Sequence, residues 1–307
     1  MNAIAAAETK QVPGPSVLST PMCLSAFRRD PLGFLSDMHR RYGDTVRLPL
    51  GLSLISVSHP SAVRHVLQEN HRSYDKGLDY ARLEVAVGKG LLTSNGALWK
   101  RHRRLTQPAF HKQRLAGFAQ TIISRTEQRL ALWRKQGREL QVDLHAELMA
   151  LTLEIVGECL FSADLSSQTE EFGMSVGEVL RLTNDYLNQL MPLPLWLPTP
   201  FALRFRRELA VLDRAVKSVI EARYNSDEEL GEDLLGMLLS AHQQTEGAEA
   251  EQPLSVQEIR DEVMTLILAG HETTANALSF ALLLLSQNQQ VADTLKEQTV
   301  QALCRTV

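Results

Sequence analysis

Leu254-Ser255-Val256-Gln257-Glu258-Ile259 opens the stretch that decides the fold, and Ala269-Gly270-His271-Glu272-Thr273-Thr274 lies at its centre. Ser255 with Glu258 three residues on is a capping box. The serine hydroxyl accepts the N–H of the third helical residue, and the glutamate reaches back to the serine N–H. Leu254 and Ile259 occupy the hydrophobic-staple positions on either side. Apolar residues then recur at helical spacing to about Gln287. This predicts one helix of roughly 33 residues, about 50 Å long. Apolar residues on most of its faces predict burial.

The centre of that helix breaks the pattern. Gly270 costs up to about 1 kcal/mol relative to Ala, and threonine hydroxyls compete for backbone carbonyls and bend helices. Small residues followed by Glu272 and Thr273 point to something flat or bulky pressed on the helix. They also point to a water or ligand inserted into its hydrogen-bond ladder. The alternative is a buried polar kink satisfied by its own neighbours. His271-Glu272 does not open an H-E-x-x-H zinc motif, because the fifth position is Ala275.

Upstream, Trp99-Lys100-Arg101-His102-Arg103-Arg104 is a dense basic cluster on a helix predicted to begin near Ala97. A solvated basic face or a nucleic-acid patch is the plain reading. Trp99 and Arg103 are four apart and share a helical face. One supplies a single N–H donor and the other a planar fork, a clamp suited to an anionic group beside an apolar body.

The remaining chain frames these two constellations. Residues 1–30, with Pro13-Gly14-Pro15 and Pro21, read as extended. A short helix follows from Pro31 through Phe34, Leu35 and Met38 to Tyr42-Gly43. Thr45 to Leu50 and Leu54 to Val57, divided by Gly51, read as a hairpin. A helix starts at Pro60, and residues 70–96, with Gly77, Gly88, Gly90 and Gly96, read as a long irregular loop. From Ala97 the pattern is helical, interrupted by the proline-rich but apolar MPLPLWLPTP (191–200) and by an acidic, Gln-rich stretch over 225–252 around a short helix near Leu234 to Ala241.

Composition sets bounds on function. The chain has 307 residues, 44% hydrophobic, with 32 Lys and Arg against 36 Asp and Glu, a net charge of −4. Disorder is excluded, and no global positive charge drives nucleic-acid binding. Cys23, Cys159 and Cys304 are too scattered for a disulfide framework or a Cys-x-x-Cys metal knuckle, which fits a reducing compartment. MNAIAAAETK has no basic leader and too few apolar residues for an anchor. Glu272 at mid-span would cost about 2.5–3.5 kcal/mol in a membrane. A soluble, cytoplasmic protein without a membrane anchor is expected.

Taken together, the two constellations resemble a cytochrome P-450, a haem-thiolate monooxygenase, of the soluble bacterial type. Ala269 to Thr274 is similar to the family's [Ala/Gly]-Gly-x-[Asp/Glu]-Thr-[Thr/Ser] motif, and Trp99 to Arg103 to its Trp-x-x-x-Arg motif. Pro13-Gly14-Pro15, Tyr42-Gly43-Asp44, Gly90-Leu91-Leu92-Thr93-Ser94 and Gln107-Pro108-Ala109-Phe110 add to the likeness, which covers about residues 12–300. The family's cysteine-containing glycine-rich loop and Glu-x-x-Arg helix have no counterpart here, and Cys304 lacks the expected surround.

The resemblance implies a mainly α fold with a small β-sheet. It implies one cytochrome P-450-like domain over 1–307, incomplete at its C-terminus and lacking the part that ligates haem iron. It implies haem as cofactor, with no axial cysteine in this chain, and insertion of one oxygen atom from O2 into a small hydrophobic substrate. Thr273 and Glu272 would be catalytic, through bound oxygen and proton relay respectively. Trp99 and Arg103 would bind a haem propionate, and Ala269 and Gly270 would leave room over the iron. Leu92 would lie near the substrate, and residues 191–200 would form part of the lid. Ferredoxin and its reductase are the implied redox partners. An inactive remnant, or a helical binding protein without haem, is the competing expectation.

Overall fold

The computed structural model describes residues 12–50, 53–137, 141–163, 170–189, 192–226, 230–231, 233–243 and 253–306. They fall into two compact units, Met1–Asp75 and Lys76–Val307.

In the first unit, helix α1 (Thr20–Arg29) occupies part of the segment expected to be extended. Pro21 lies in its first turn, where the missing N–H has no intrahelical acceptor to lose, so the proline starts a helix instead of preventing one. Helix α2 (Pro31–Tyr42) is capped by the Asp30 side chain, which accepts from the Gly33 N–H at 2.9 Å, and ends at Gly43 with φ +96°. Strands β1 (Thr45–Pro49) and β2 (Ser53–Val57) pair antiparallel, Thr45 opposite Val57 and Leu48 opposite Leu54. Gly51, expected to divide them, lies outside the described residues. Val46 and Leu48 share one face of β1 and are buried with Cys23, Phe34 and Met38 in a small core. Helix α3 (Pro60–Arg64) runs on into a wider π turn over His65–Glu69.

Among the described residues, the regular elements of the second unit are all helices. Helix α4 (Leu78–Val87) corrects the expected irregular loop. Gly77 precedes it and Gly88, at φ +78°, ends it, so the glycines punctuate a helix and do not mark one long loop. Helices α5 (Gly96–Thr106), α6 (Lys112–Lys135), α7 (Leu144–Phe161), α8 (Glu170–Leu187), α9 (Pro200–Tyr224) and α10 (Leu234–Gln243) follow. Residues 192–199 are non-helical, as their prolines require, and Trp196 is exposed. Helix α11 (Val256–Gln287) begins with both halves of the capping box, Ser255 N–H to Glu258 at 2.7 Å and Glu258 N–H to Ser255 at 3.2 Å. Leu254 and Ile259 are buried, as a hydrophobic staple demands. Helix α12 (Gln289–Thr306) closes the described chain.

The core gathers α7, α8, α9, α10 and the first half of α11 around Phe161, Phe172, Phe205 and Leu212. Burial of α11 stops half-way. Ile259 to Leu268 are inside, whereas Leu278, Phe280, Leu282, Leu283 and Leu284 are exposed. The expectation of burial along its whole length therefore holds for the first half and for Ala275, which packs with Leu148 and Leu151, but not for the apolar residues from Leu278 on. The helix is continuous through Ala269 to Thr274, with no break in its ladder. Among the described residues no helix is long and apolar enough to cross a membrane.

Candidate functional site

Helix α5 splits its basic cluster between two faces. Trp99 is half-buried and Arg103 exposed, and neither the indole N–H nor the guanidinium has a partner among the described residues. Arg101 and His102 turn instead to the first turns of α11. Arg101 Nη1 donates to Glu258 Oε1 at 2.8 Å. His102 is buried, with Nδ1 hydrogen-bonded to Glu262 Oε1 and Nε2 3.5 Å from Glu258 Oε1. Burial opposes the charge on His102, but the hydrogen bonds and charges of Glu262 and Glu258 outweigh it and hold its pKa above the ordinary value.

The chemistry-bearing start of α11 was not foreseen from sequence. Glu262 is fully buried and Asp261 nearly so. Asp261 accepts from the Lys89 N–H at 2.8 Å, from Gln257 at 2.8 Å and from Arg260 at 3.0 Å, while Arg260 also reaches Asp213 of α9 with Nε at 2.7 Å. Residues 88–95 lie on this surface. A Cβ at Gly88 would fall 2.1 Å from the Asp261 carboxylate, and one at Gly90 would fall 2.4 Å from Thr265 Oγ1. Lys76 Nζ donates to the carbonyls of Leu91 and Ser94, each at 2.8 Å, and burial lowers its pKa against the pull of Glu262. Leu92 sits half-buried in this docked loop. The signal available in the sequence was two adjacent acids inside a helix otherwise marked for burial, because buried carboxylates need cationic or N–H partners.

The central motif faces two ways. Gly270 turns to α7: a Cβ there would lie 3.1 Å from Val156 Cγ2, so its smallness lets the two helices close. His271 is buried, its Nδ1 2.8 Å from the Ile267 carbonyl, and burial lowers its pKa. Ala269 and Thr273 are exposed on the other side. Thr273 Oγ1 donates to the Ala269 carbonyl at 2.7 Å and Thr274 Oγ1 to that of Gly270 at 2.8 Å. Glu272 is partly exposed and has no hydrogen-bond or ion-pair partner among the described residues. The hydroxyls thus stay within the helix, which explains why two threonines leave its ladder intact.

The family model described as Cytochrome P450 matches residues 12–306, nearly the whole chain. The chain belongs to the cytochrome P450 family. It is 32% identical over 310 residues to "Cytochrome P450 97B2, chloroplastic" of Glycine max, covering 91% of this chain and 53% of that protein. It is 33% identical over 271 residues to "Cyclooctat-9-en-7-ol 5-monooxygenase" of Streptomyces melanosporofaciens, 87% of this chain and 56% of the relative. It is 34% identical over 260 residues to "Putative cytochrome P450 132" of Mycobacterium tuberculosis, 79% and 53%. The chain spans about half the length of the curated relatives it matches, which come from plants and bacteria alike.

Haem is the group this family implies, and the donor set fits its periphery. Propionates need N–H donors, which Trp99 and Arg103 offer without internal competition, and a macrocycle needs an apolar surface, which the outward face of α11 provides. A thiolate ligand is a different matter. Burial pushes the Cys159 thiol up, which disfavours the thiolate, and Cys23 is buried in the small core of the first unit. Among the described residues no group of three or more His, Cys, Asp or Glu side chains is placed to hold a metal ion.

Proposed function

We propose that this chain supplies the oxygen-side helix and the propionate clamp of a haem-dependent monooxygenase acting on a small hydrophobic substrate. The observation that carries this reading is the pair of partnerless donors, Trp99 and Arg103, on one face of α5. The printed name of the Streptomyces relative, a monooxygenase, supports it. Haem, when bound, supplies the redox chemistry that activates O2. Electrons from ferredoxin and its reductase belong to the same reading.

The chain's own residues have these roles. Arg103 holds a carboxylate by charge-assisted hydrogen bonds, and Trp99 adds a neutral donor. Thr273 presents hydroxyl lone pairs outward. By releasing the Ala269 carbonyl it donates a hydrogen bond to an oxygen placed over the helix. Glu272, unpaired and partly exposed, carries protons between solvent and that point. Ala269 keeps the outward face low, and Gly270 sets how closely α11 sits on α7. Leu92 contributes an apolar contact for substrate from the docked loop.

Titration of the full chain with haemin, followed by absorbance in the Soret region, tests the reading. Arg103→Ala is expected to weaken binding roughly tenfold or more, the loss of a hydrogen bond to a charged group. Equal affinity in the two proteins overturns the clamp. Failure to bind haemin by the chain joined to the family's cysteine-containing loop favours the competing reading, a helical protein without haem.

A further inference from the structure

His102 is buried between two carboxylates on successive turns of α11. Glu262 Oε1 is bonded to Nδ1 and Glu258 Oε1 lies 3.5 Å from Nε2. A neutral imidazole has one donor and one acceptor nitrogen, so only the imidazolium faces both carboxylates as a donor. Glu262 Oε2 is buried without a hydrogen-bond partner among the described residues, so His102 makes the hydrogen bond to this carboxylate and Lys76 acts on it only as a nearby charge. We propose that His102, clasped by Glu262 and Glu258, is the positioning residue that fixes the α5 face bearing Trp99 and Arg103 against α11, and that the clasp opens when the imidazole loses its proton. The proposal rests on the haem-propionate reading of Trp99 and Arg103.

Of the side chains that touch Glu258 and Glu262, His102 is the one imidazole among the described residues. On α11, Glu258 is also engaged by Arg101 and by Ser255, Asp261 is committed to Lys89, Gln257 and Arg260, and Arg260 turns to Asp213. Lys76 faces Glu262 from the chain before α4 but is anchored on the Leu91 and Ser94 carbonyls. Helix α10, packed on α5, carries only His242 as a titratable group, and its Nδ1 is bonded to the Leu254 carbonyl. On α5 itself the remaining ionisable side chains are Lys100, Arg101, Arg103 and Arg104. A folded pKa above the unfolded value means that the clasp is intact below about pH 6.5 and is lost as pH rises through the folded value.

Hydrogen exchange of the α5 amides in the full chain, corrected for intrinsic rate, tests this without haem. Wild-type protection is expected to fall with rising pH above about 6.5, by up to about tenfold per unit for one linked proton. His102→Asn keeps a donor near the Nδ1 position but does not titrate, and its protection is expected to be flat. Lys76→Met separates any contribution from the lysine, whose lowered pKa acts with the opposite sign at higher pH. Identical profiles for wild type and His102→Asn overturn the proposal. The haemin titration then distinguishes the two layers. Weakening of haemin binding with rising pH in wild type but not in His102→Asn supports the positioning role. Weaker binding in Arg103→Ala with the same pH profile in wild type and His102→Asn leaves the propionate reading standing and removes the positioning role. Unchanged binding in Arg103→Ala overturns the propionate reading and the positioning role with it, leaving the exchange profile to judge the clasp alone.

Discussion

The Thr152 hydroxyl of α7 lies 3.0 Å from the backbone carbonyl of His271 on α11, one residue past the glycine whose missing Cβ lets Val156 approach. A helix carbonyl reached by a neighbouring hydroxyl and a glycine under a valine are two parts of one contact. Both hold the middle of α11 against α7 while Ala269 and Thr273 stay on the outside.

Gly270→Ala tests how tight that contact is. Alanine gains up to about 1 kcal/mol of helix propensity, against a Val156 methyl that must yield by a few tenths of an ångström from 3.1 Å. The two effects nearly cancel, so the change in unfolding free energy by urea titration is expected to stay within about 1 kcal/mol of zero. Gly270→Leu is expected to destabilise by about 1–3 kcal/mol through overpacking. Equal stability of the leucine variant would show that α7 does not limit the site.

Gly88→Ala is expected to cost considerably more. Its φ of +78° with ψ −162° belongs to a region that is essentially glycine-only, and the new methyl would fall on the Asp261 carboxylate. A loss above about 2 kcal/mol is expected from strain alone. A double-mutant cycle with Asp261→Ala is expected to show coupling, because removing the carboxylate relieves the clash but not the strain. Additive effects would mean that residues 88–95 are not docked on Asp261.

His271 gives the chain a dependence on pH of opposite sign to that of His102. Burial lowers its folded pKa below 6.5, so the unfolded chain takes up the proton first. Its contribution is fully present above pH 6.5 and is lost as pH falls from there through the folded value. Thermal melts of wild type and His271→Gln between pH 5 and 7 are expected to converge toward the acid end. Parallel curves would show that the imidazole is not held neutral.

Long-range pairing marks the limit of what the sequence displays. The capping box and the 3.6-residue period located α11 to within a residue at each end, because both are local interactions. The hairpin was equally legible from alternation at Val46 and Leu48. Helix α4 was hidden because Gly77 and Gly88 mark loops and helix ends alike. The proline-led α1 was missed because a proline that breaks a helix interior is accepted in its first turn, where Pro21 lies. At the site, Trp99 and Arg103 were visible as a same-face pair. His102 looked like one more member of a basic cluster, because its partner Glu262 is 160 residues further along the chain.

Thr273→Ala isolates the chemistry proposed for the motif. The hydroxyl is exposed and bonded only to the Ala269 carbonyl of its own helix, so its removal leaves the α7 contact untouched and raises helix propensity slightly. Stability is therefore expected to change by less than about 0.5 kcal/mol, the range for surface positions. In this chain joined to the family's cysteine-containing loop, loaded with haem and supplied with reductant, hydrogen peroxide released per reduced nicotinamide consumed is expected to rise several-fold, because the group that would direct a proton to the right oxygen is gone. Glu272→Gln removes a proton carrier and leaves the hydroxyl, so consumption is expected to slow with a smaller rise in that ratio. If both residues merely satisfied a helix position, melting temperatures would move and the ratio would not. A Thr273→Ala ratio equal to wild type, measured on folded protein with full haem occupancy, would remove the motif from the catalytic assignment.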